Sequence, residues 1–292
     1  MTINTVIIAI CALAYPSVAL SNQPYELETQ ISSLFEEAKQ INKVSERIAF
    51  FSERLLSLPY QDSPLGEGSE GTYDKDPLYR FDAFDCTTFV ETVLALSLSS
   101  KIEDFASQIN QIRYRQGQIS FVTRNHFTSL DWIPNNKKSG ILKDITRSIA
   151  FSKNAKATIR KRSWYLKLHQ AELAAFLALG IHIRPIKSSL PYIPLERILH
   201  PSGTGNGAII KKIPHGSIIN VVRPNWDLRK SIGTRINVSH QGLAIWKQGK
   251  LYFRHASSHQ GKIIDSPFVE QFKKYAKNPS IKGLNILVTT KN

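Results

Sequence analysis

The feature that most restricts the fold is a change of hydrophobic period part-way along the chain. Before Pro191, apolar side chains recur mainly at helical spacing. Leu27, Ile31, Leu34 and Phe35, followed by Ile48, Phe51, Leu55 and Leu56, predict one or two helices over residues 26–57. A further helix is expected to begin at or near Cys86, with Phe89, Val90, Val93, Leu94 and Leu96 on its apolar face, and others over 105–115 and 164–179. After Pro191 short β-like runs take over, at 217–222, 242–246, 251–253 and 286–288. Lys247-Gln248-Gly249-Lys250 reads as a hairpin turn, with Gly249 supplying a positive φ. Helices first and antiparallel strands afterwards specify an α+β fold. Loop signals stand at 59–77, rich in Gly, Pro, Ser and Asp, and at Pro134-Asn135-Asn136. No repeat, low-complexity tract or clear linker interrupts residues 22–292, so one domain is expected there.

The N-terminus is read as a leader. Thr2 to Ser21 contains no Lys, Arg, Asp or Glu, its centre from Val6 to Ala14 is apolar, and it ends on Ala19-Leu20-Ser21 before polar Asn22-Gln23. The run is too short to span a bilayer. Residues 1–21 are therefore expected to be a signal peptide cleaved near Ser21, sending the chain to the periplasm or outside the cell. Ile10 stands where a small residue should precede a lipidated cysteine, which argues against a lipid anchor on Cys11. Loss of the leader takes the cysteines from two to one, so Cys86 cannot form an internal disulfide. It is then either a buried small hydrophobe or a working thiol.

The formal charge of +15 draws such a protein to anionic polymers. The densest basic run, from Lys153 to Arg162, reads as a solvated helix face, and the remaining basic residues are dispersed, which disfavours nucleic acid as a partner. No His-Glu-x-x-His, Cys-x-x-Cys, glycine-rich phosphate loop or Gly-x-Ser-x-Gly is present, so neither a metal nor a cofactor is expected.

The chemistry is expected at Cys86. A thiolate is the nucleophilic form, and it is favoured where a helix begins, beside unpaired N–H groups that can also hold an oxyanion. A base and an orienter are at hand in the β-rich half. His240 precedes one strand and His255 ends the next, across the Lys247–Lys250 turn, so the two imidazoles are expected side by side. His240 would take the thiol proton and His255 would fix its tautomer.

The run Asp85-Cys86-Thr87-Thr88-Phe89 resembles the Asp-Cys-Ser-Gly-Phe signature of the NlpC-type, papain-like cell-wall cysteine peptidases. Ser239-His240-Gln241-Gly242-Leu243-Ala244 is similar to their His-Val-Gly-Ile strand, Arg254-His255-Ala256-Ser257-Ser258 to their His-Ala-Ser segment, and Leu58-Pro59-Tyr60 to their Pro-Tyr element. The Cys-Thr-Thr-Phe-Val-Glu form, Arg124-Asn125-His126-Phe127 leading to Asp131-Trp132-Ile133, and Tyr192-Ile193-Pro194 resemble one branch, the N-acetylmuramoyl-L-alanine amidase-like family. That resemblance implies a papain-like fold, a nucleophile helix packed on an antiparallel sheet with additional helices, and catalytic Cys86, His240 and His255. It also implies peptidoglycan or its released muropeptides as substrate, cut between N-acetylmuramic acid and L-alanine through a thioester. Supporting roles are expected for Tyr60 near the oxyanion, Asp85 at the helix start, Arg124 on a substrate carboxylate, and His126, Trp132 and Tyr192 in the cleft. Four have a bland alternative: a packed Tyr for Tyr60, an N-cap for Asp85, a surface ion pair for Arg124 and a buried Trp for Trp132.

Three other functions stay open at this stage. The same residues serve acyl transfer to amines other than water, and relatives of the NlpC type cut γ-D-glutamyl-diaminopimelate. A basic exported protein could instead hold wall fragments without catalysis.

Overall fold

The computed structural model describes residues 24–291 apart from 179, 181 and 182, so the leader and Cys11 lie outside the described residues. Eight strands form one sheet: β1 (Leu142–Asp144), β2 (Lys153–Ile159), β3 (Ile186–Pro194), β4 (Ser217–Leu228), β5 (Thr234–Lys247), β6 (Lys250–Ser257), β7 (Lys262–Pro267) and β8 (Gly283–Thr289). Their order is β2-β3-β8-β4-β5-β6-β7, with β1 also on β8, and every pairing is antiparallel. The longer helices are α1 (Pro24–Ala38), α2 (Val44–Arg54), α3 (Cys86–Leu98), α4 (Ile102–Arg113), α5 (Ile133–Lys138), α6 (Lys161–Leu168), α7 (Gln170–Ala178) and α8 (Phe268–Ala276). The fold is α+β with an antiparallel sheet. No helix among the described residues is long and apolar enough to cross a membrane.

Alternation along β5 sorts the two sides of the sheet. Leu243 and Ile245 join the core formed with α1 to α4, while Ala244 joins the core under α8. Helix α3 is buried from Thr88 to Ser97 on every side, as its near-continuous apolar sequence requires, and it packs on β5 and β6. Arg254, with no exposed surface, donates from Nε and Nη2 to Asp265 at 2.6 and 2.8 Å and from Nη1 to Ser52 Oγ at 2.9 Å. It thereby ties α2 to β6 and β7, directly beside His255.

Three expectations are corrected. The basic run at 153–162 is mostly strand β2, in which Ala155, Ala157 and Ile159 point inward while the charges alternate outward. Pro134-Asn135-Asn136 lies in the first turn of α5, where the missing N–H of proline costs nothing. The helix expected over 164–179 is broken within the described residues: α6 ends at Leu168, His169 leaves the helical region (φ −143°, ψ 60°), and α7 starts afresh at Gln170.

Candidate active site

Local backbone pairing delivers Cys86 to the sheet. The Ser57–Gln61 segment donates from Ser57 N to Ile263 O (2.9 Å) and from Tyr60 N to Gly261 O (2.8 Å), which attaches it to β7. On its other side Phe84 N donates to Pro59 O at 3.0 Å and Gln61 N to Phe84 O at 3.1 Å. Asp85 then caps α3: one carboxylate oxygen accepts from Thr87 N at 2.9 Å and Thr88 N at 2.7 Å, and Thr88 Oγ1 returns a bond from Asp85 N. Cys86 is the first residue of the helix and keeps some accessible surface. Replacing Asp85 by Ala is expected to cost about 0.5–2 kcal/mol, read by chemical denaturation, as loss of a helix cap does elsewhere.

The sheet opens where α3 arrives. β5 and β6 pair only from Leu243↔Arg254 to Lys247↔Lys250, although β5 reaches back to Thr234 and β6 runs on to Ser257 with β7. Thr87 Oγ1 donates to Gln241 Oε1 at 2.8 Å across this gap, and the backbone N–H of Gln241 favours the charged form of Cys86. His240 is the next residue. Gly242 allows the close approach, since a Cβ there would meet Arg254 O and the Phe253 ring at 2.6 Å. Gly242→Ala is expected to destabilise by about 1–3 kcal/mol through overpacking, measured by urea titration.

His240 Nε2 and His255 Nδ1 are 2.7 Å apart, and His255 Nε2 lies 3.3 Å from Ser266 Oγ. His255 stacks on Phe253 with ring centroids 4.6 Å apart. Burial sets the electrostatics of the group. It pushes the Cys86 thiol up to about 12, with the Asp85 carboxylate adding to the effect and the Gln241 N–H and Thr87 hydroxyl opposing it. It drives His240 down to about 3, aided by His255, and His255 down to about 4 against the pull of Asp265. Burial thus favours the neutral form of the thiol and of both imidazoles. Tyr60 is raised by burial, then by Cys86, Asp62 and Asp85, so its phenol stays a hydrogen-bond donor at the mouth of the site.

These shifts have a consequence for stability. A histidine whose folded pKa is depressed binds protons more readily when unfolded, so its contribution is present above about 6.5 and is lost as pH falls toward 3–4. The melting temperature is expected to drop between pH 6.5 and 4, with a shallower slope in His255→Asn. A wild-type melting temperature flat across that window would contradict this assignment.

Comparison with known proteins now bears on the geometry. A family model described as N-acetylmuramoyl-L-alanine amidase-like (AmiA-like) matches residues 50–280. The chain belongs to this amidase-like family. Among solved structures it is similar to a protein from Legionella pneumophila, at 36% identity and TM-score 0.85 over 91% of this chain and 95% of that one. It is also similar to an N-acetylmuramoyl-L-alanine amidase from Bacteroides uniformis, at 25% identity and TM-score 0.63 over 84% and 98%. No curated protein matches the chain.

The other residues singled out in this amidase-like chain separate into two groups. Trp132 lines no cleft: it has no exposed surface, and its indole donates to Glu91 Oε1 at 3.0 Å inside the core. Tyr192 is likewise a core residue, buried on β3 against Gly283. Both belong to residue types that large cores consume. Arg124 and His126 do line a cavity of 260 Å³ on the Asp85–Thr88 side of α3. Arg124 is already engaged, however, by Asp74 at 2.7 Å and by Leu65 O, so it fastens the 65–74 loop instead of standing free for a carboxylate. His126 Nε2 donates to Phe121 O at 2.8 Å, and the ring packs on Phe121 and Trp164 and is kept uncharged by burial. Sequence reading missed Gln241, Ser266 and Tyr275. Gln241 carried a signal, as the residue after His240 in the run Ser239-His240-Gln241-Gly242.

Proposed function

We propose that this protein is a cysteine amidase of papain-like architecture that hydrolyses an amide in peptidoglycan or its released muropeptides, between N-acetylmuramic acid and L-alanine. The observation that carries the reading is the start of α3 seated in the gap of the sheet against Gln241, the residue that follows His240, whose own Nε2 is occupied by His255. Family membership and the likeness to the Bacteroides uniformis amidase support the bond assignment.

In the proposed mechanism His255 Nε2–H donates to Ser266 Oγ, which leaves His255 Nδ1 to accept from His240 Nε2–H. His240 Nδ1 is then the free base. It takes the thiol proton as Cys86 Sγ attacks the lactyl carbonyl, while the Cys86 N–H, which lies outside the Asp85 cap, and the Tyr60 hydroxyl receive the oxyanion. Collapse breaks the C–N bond, and His240 passes its proton to the L-alanine nitrogen. Water, deprotonated by His240, cleaves the thioester, releasing the carboxylate and restoring the thiol. Because the ground state is neutral, charge separation is deferred until substrate displaces water. Alkylation by iodoacetamide is accordingly expected to rise with pH above 7 in the free protein, with no plateau at mildly acidic pH.

Export belongs to the same proposal, with residues 1–21 removed and 22–292 acting as one domain. The test is mass spectrometry of defined muropeptides digested by wild-type and Cys86→Ala protein, with both product ends identified. New N-terminal L-alanine from the wild type alone supports the reading. Equal product from both, or new N-terminal diaminopimelate, would sink it.

A further inference from the structure

The two flanks of Cys86 differ in charge. On the sheet face that carries His240 and His255, a cleft of 570 Å³ opens between β4, the turn at 257–260 and α8. Among the described residues lining it none is Asp or Glu, whereas Arg223, His259 and Lys274 are present. The Arg223 guanidinium lies 3.5 Å from the centroid of the Trp226 ring, and its Nε donates to Ser280 Oγ at 2.8 Å. That stacking fixes the plane of the fork and leaves its terminal nitrogens for a ligand. Burial lowers the pKa of Arg223, so its charge is held where water solvates it poorly and an anionic partner would be welcome. Tyr275 lines the same cleft, and its phenol is raised by burial and then by Cys86.

The cavity on the other flank contrasts with it. There Asp74, Asp85 and Glu91 share the lining with Arg113, Arg124, His126 and His169, beside the Phe121 and Trp164 rings. Three carboxylates against two guanidinium groups do not attract an anion, whereas aromatic faces and mixed polar groups suit an uncharged sugar.

Reaction chemistry orients a substrate between the two flanks. The group that protonates the leaving nitrogen must lie on the leaving group's side, and His240 faces the basic cleft. The amine half of the bond is an acidic stem peptide with several carboxylates, and it is this half that enters beside Arg223. We infer that the Arg223–Trp226 shelf, with Lys274, is a subsite that grips a carboxylate of the departing peptide and selects substrates by the charge of their amine half. This inference rests on the amidase reading above.

The test uses the protein carrying Cys86→Ala, so that binding is measured without turnover and whichever bond is cut. The probes are L-alanyl-γ-D-glutamyl-diaminopimelate and the same peptide with its carboxyl groups amidated, titrated calorimetrically. Adding Arg223→Gln is expected to weaken the acidic peptide by roughly tenfold to a hundredfold, the range for a charge-assisted hydrogen bond, and to leave the amidated peptide unchanged. Arg223→Lys, which keeps the charge and loses the fork, is expected to fall between. Equal affinity of Arg223→Gln and its parent for the acidic peptide would overturn the inference, as would an equal loss for both peptides. Thermal melts of all three proteins guard against misfolding. If the acidic peptide binds as expected while the wild type leaves the muramoyl–alanine bond intact, the subsite stands and the amidase reading fails.

Discussion

Replacing Cys86 by alanine is expected to remove amide hydrolysis, lowering kcat by on the order of 10⁵–10⁶, the size of loss seen when the nucleophile of a hydrolase triad is deleted. The residual rate would come from binding and from the backbone N–H of residue 86, which the substitution leaves in place. The fold should tolerate the change. Asp85 caps α3 through Thr87 and Thr88, not through Cys86, and alanine is at least as good as cysteine in a helix. The melting temperature is therefore expected to stay within a few degrees of wild type. Cys86→Ser is expected to be almost as inactive, because burial that already pushes a thiol up to about 12 penalises an alkoxide still more. A Cys86→Ala protein retaining a tenth of wild-type kcat would show that the sulfur is not the nucleophile.

The largest effect on stability is expected at Glu91, less than two turns along the same helix. Its side chain is buried with that of Arg113, Nε to Oε2 at 2.8 Å, and its other oxygen accepts from the Trp132 indole at 3.0 Å. Arg113 also donates to Leu78 O, so one ion pair joins α3, α4 and the loop that leads to Cys86. Glu91→Ala leaves a guanidinium uncompensated in the core and an indole N–H unpaired. The expected cost is about 3–5 kcal/mol by urea denaturation. The double variant Glu91→Leu/Arg113→Met should recover much of that loss, because it removes both charges together. A single-variant cost below about 1 kcal/mol would mean that water reaches the pair.

Much of this arrangement was legible in the sequence where local rules act without competition. The hairpin at 247–250 and the helix opening at Cys86 follow from a positive-φ glycine and an Asp N-cap, each of which is set by its immediate neighbours. Basic side chains hid strand β2: Lys153 and Lys156 advertise a solvated face, and only the alternation of Ala155, Ala157 and Ile159 marks a strand. The motifs of Trp132 and Tyr192 point to the cleft, but the core consumes their ring areas. Ser266 and Tyr275 carried no signal, since the first reaches His255 through the β6–β7 register and the second reaches the cleft through the docking of α8. The Arg223–Trp226 stack also depends on tertiary placement, as a bulged part of β4 carries both residues.

The most direct test of the central claim is to trap the intermediate on the protein itself. Wild-type protein mixed with a muropeptide, quenched in acid within the first turnovers and digested for mass spectrometry, should carry a muramoyl group as a thioester on the peptide containing Cys86. The adduct should be absent from Cys86→Ala and should be discharged by hydroxylamine. Turnover with no adduct on Cys86, or an L-alanyl-γ-D-glutamyl group there in place of the sugar acid, would contradict the account.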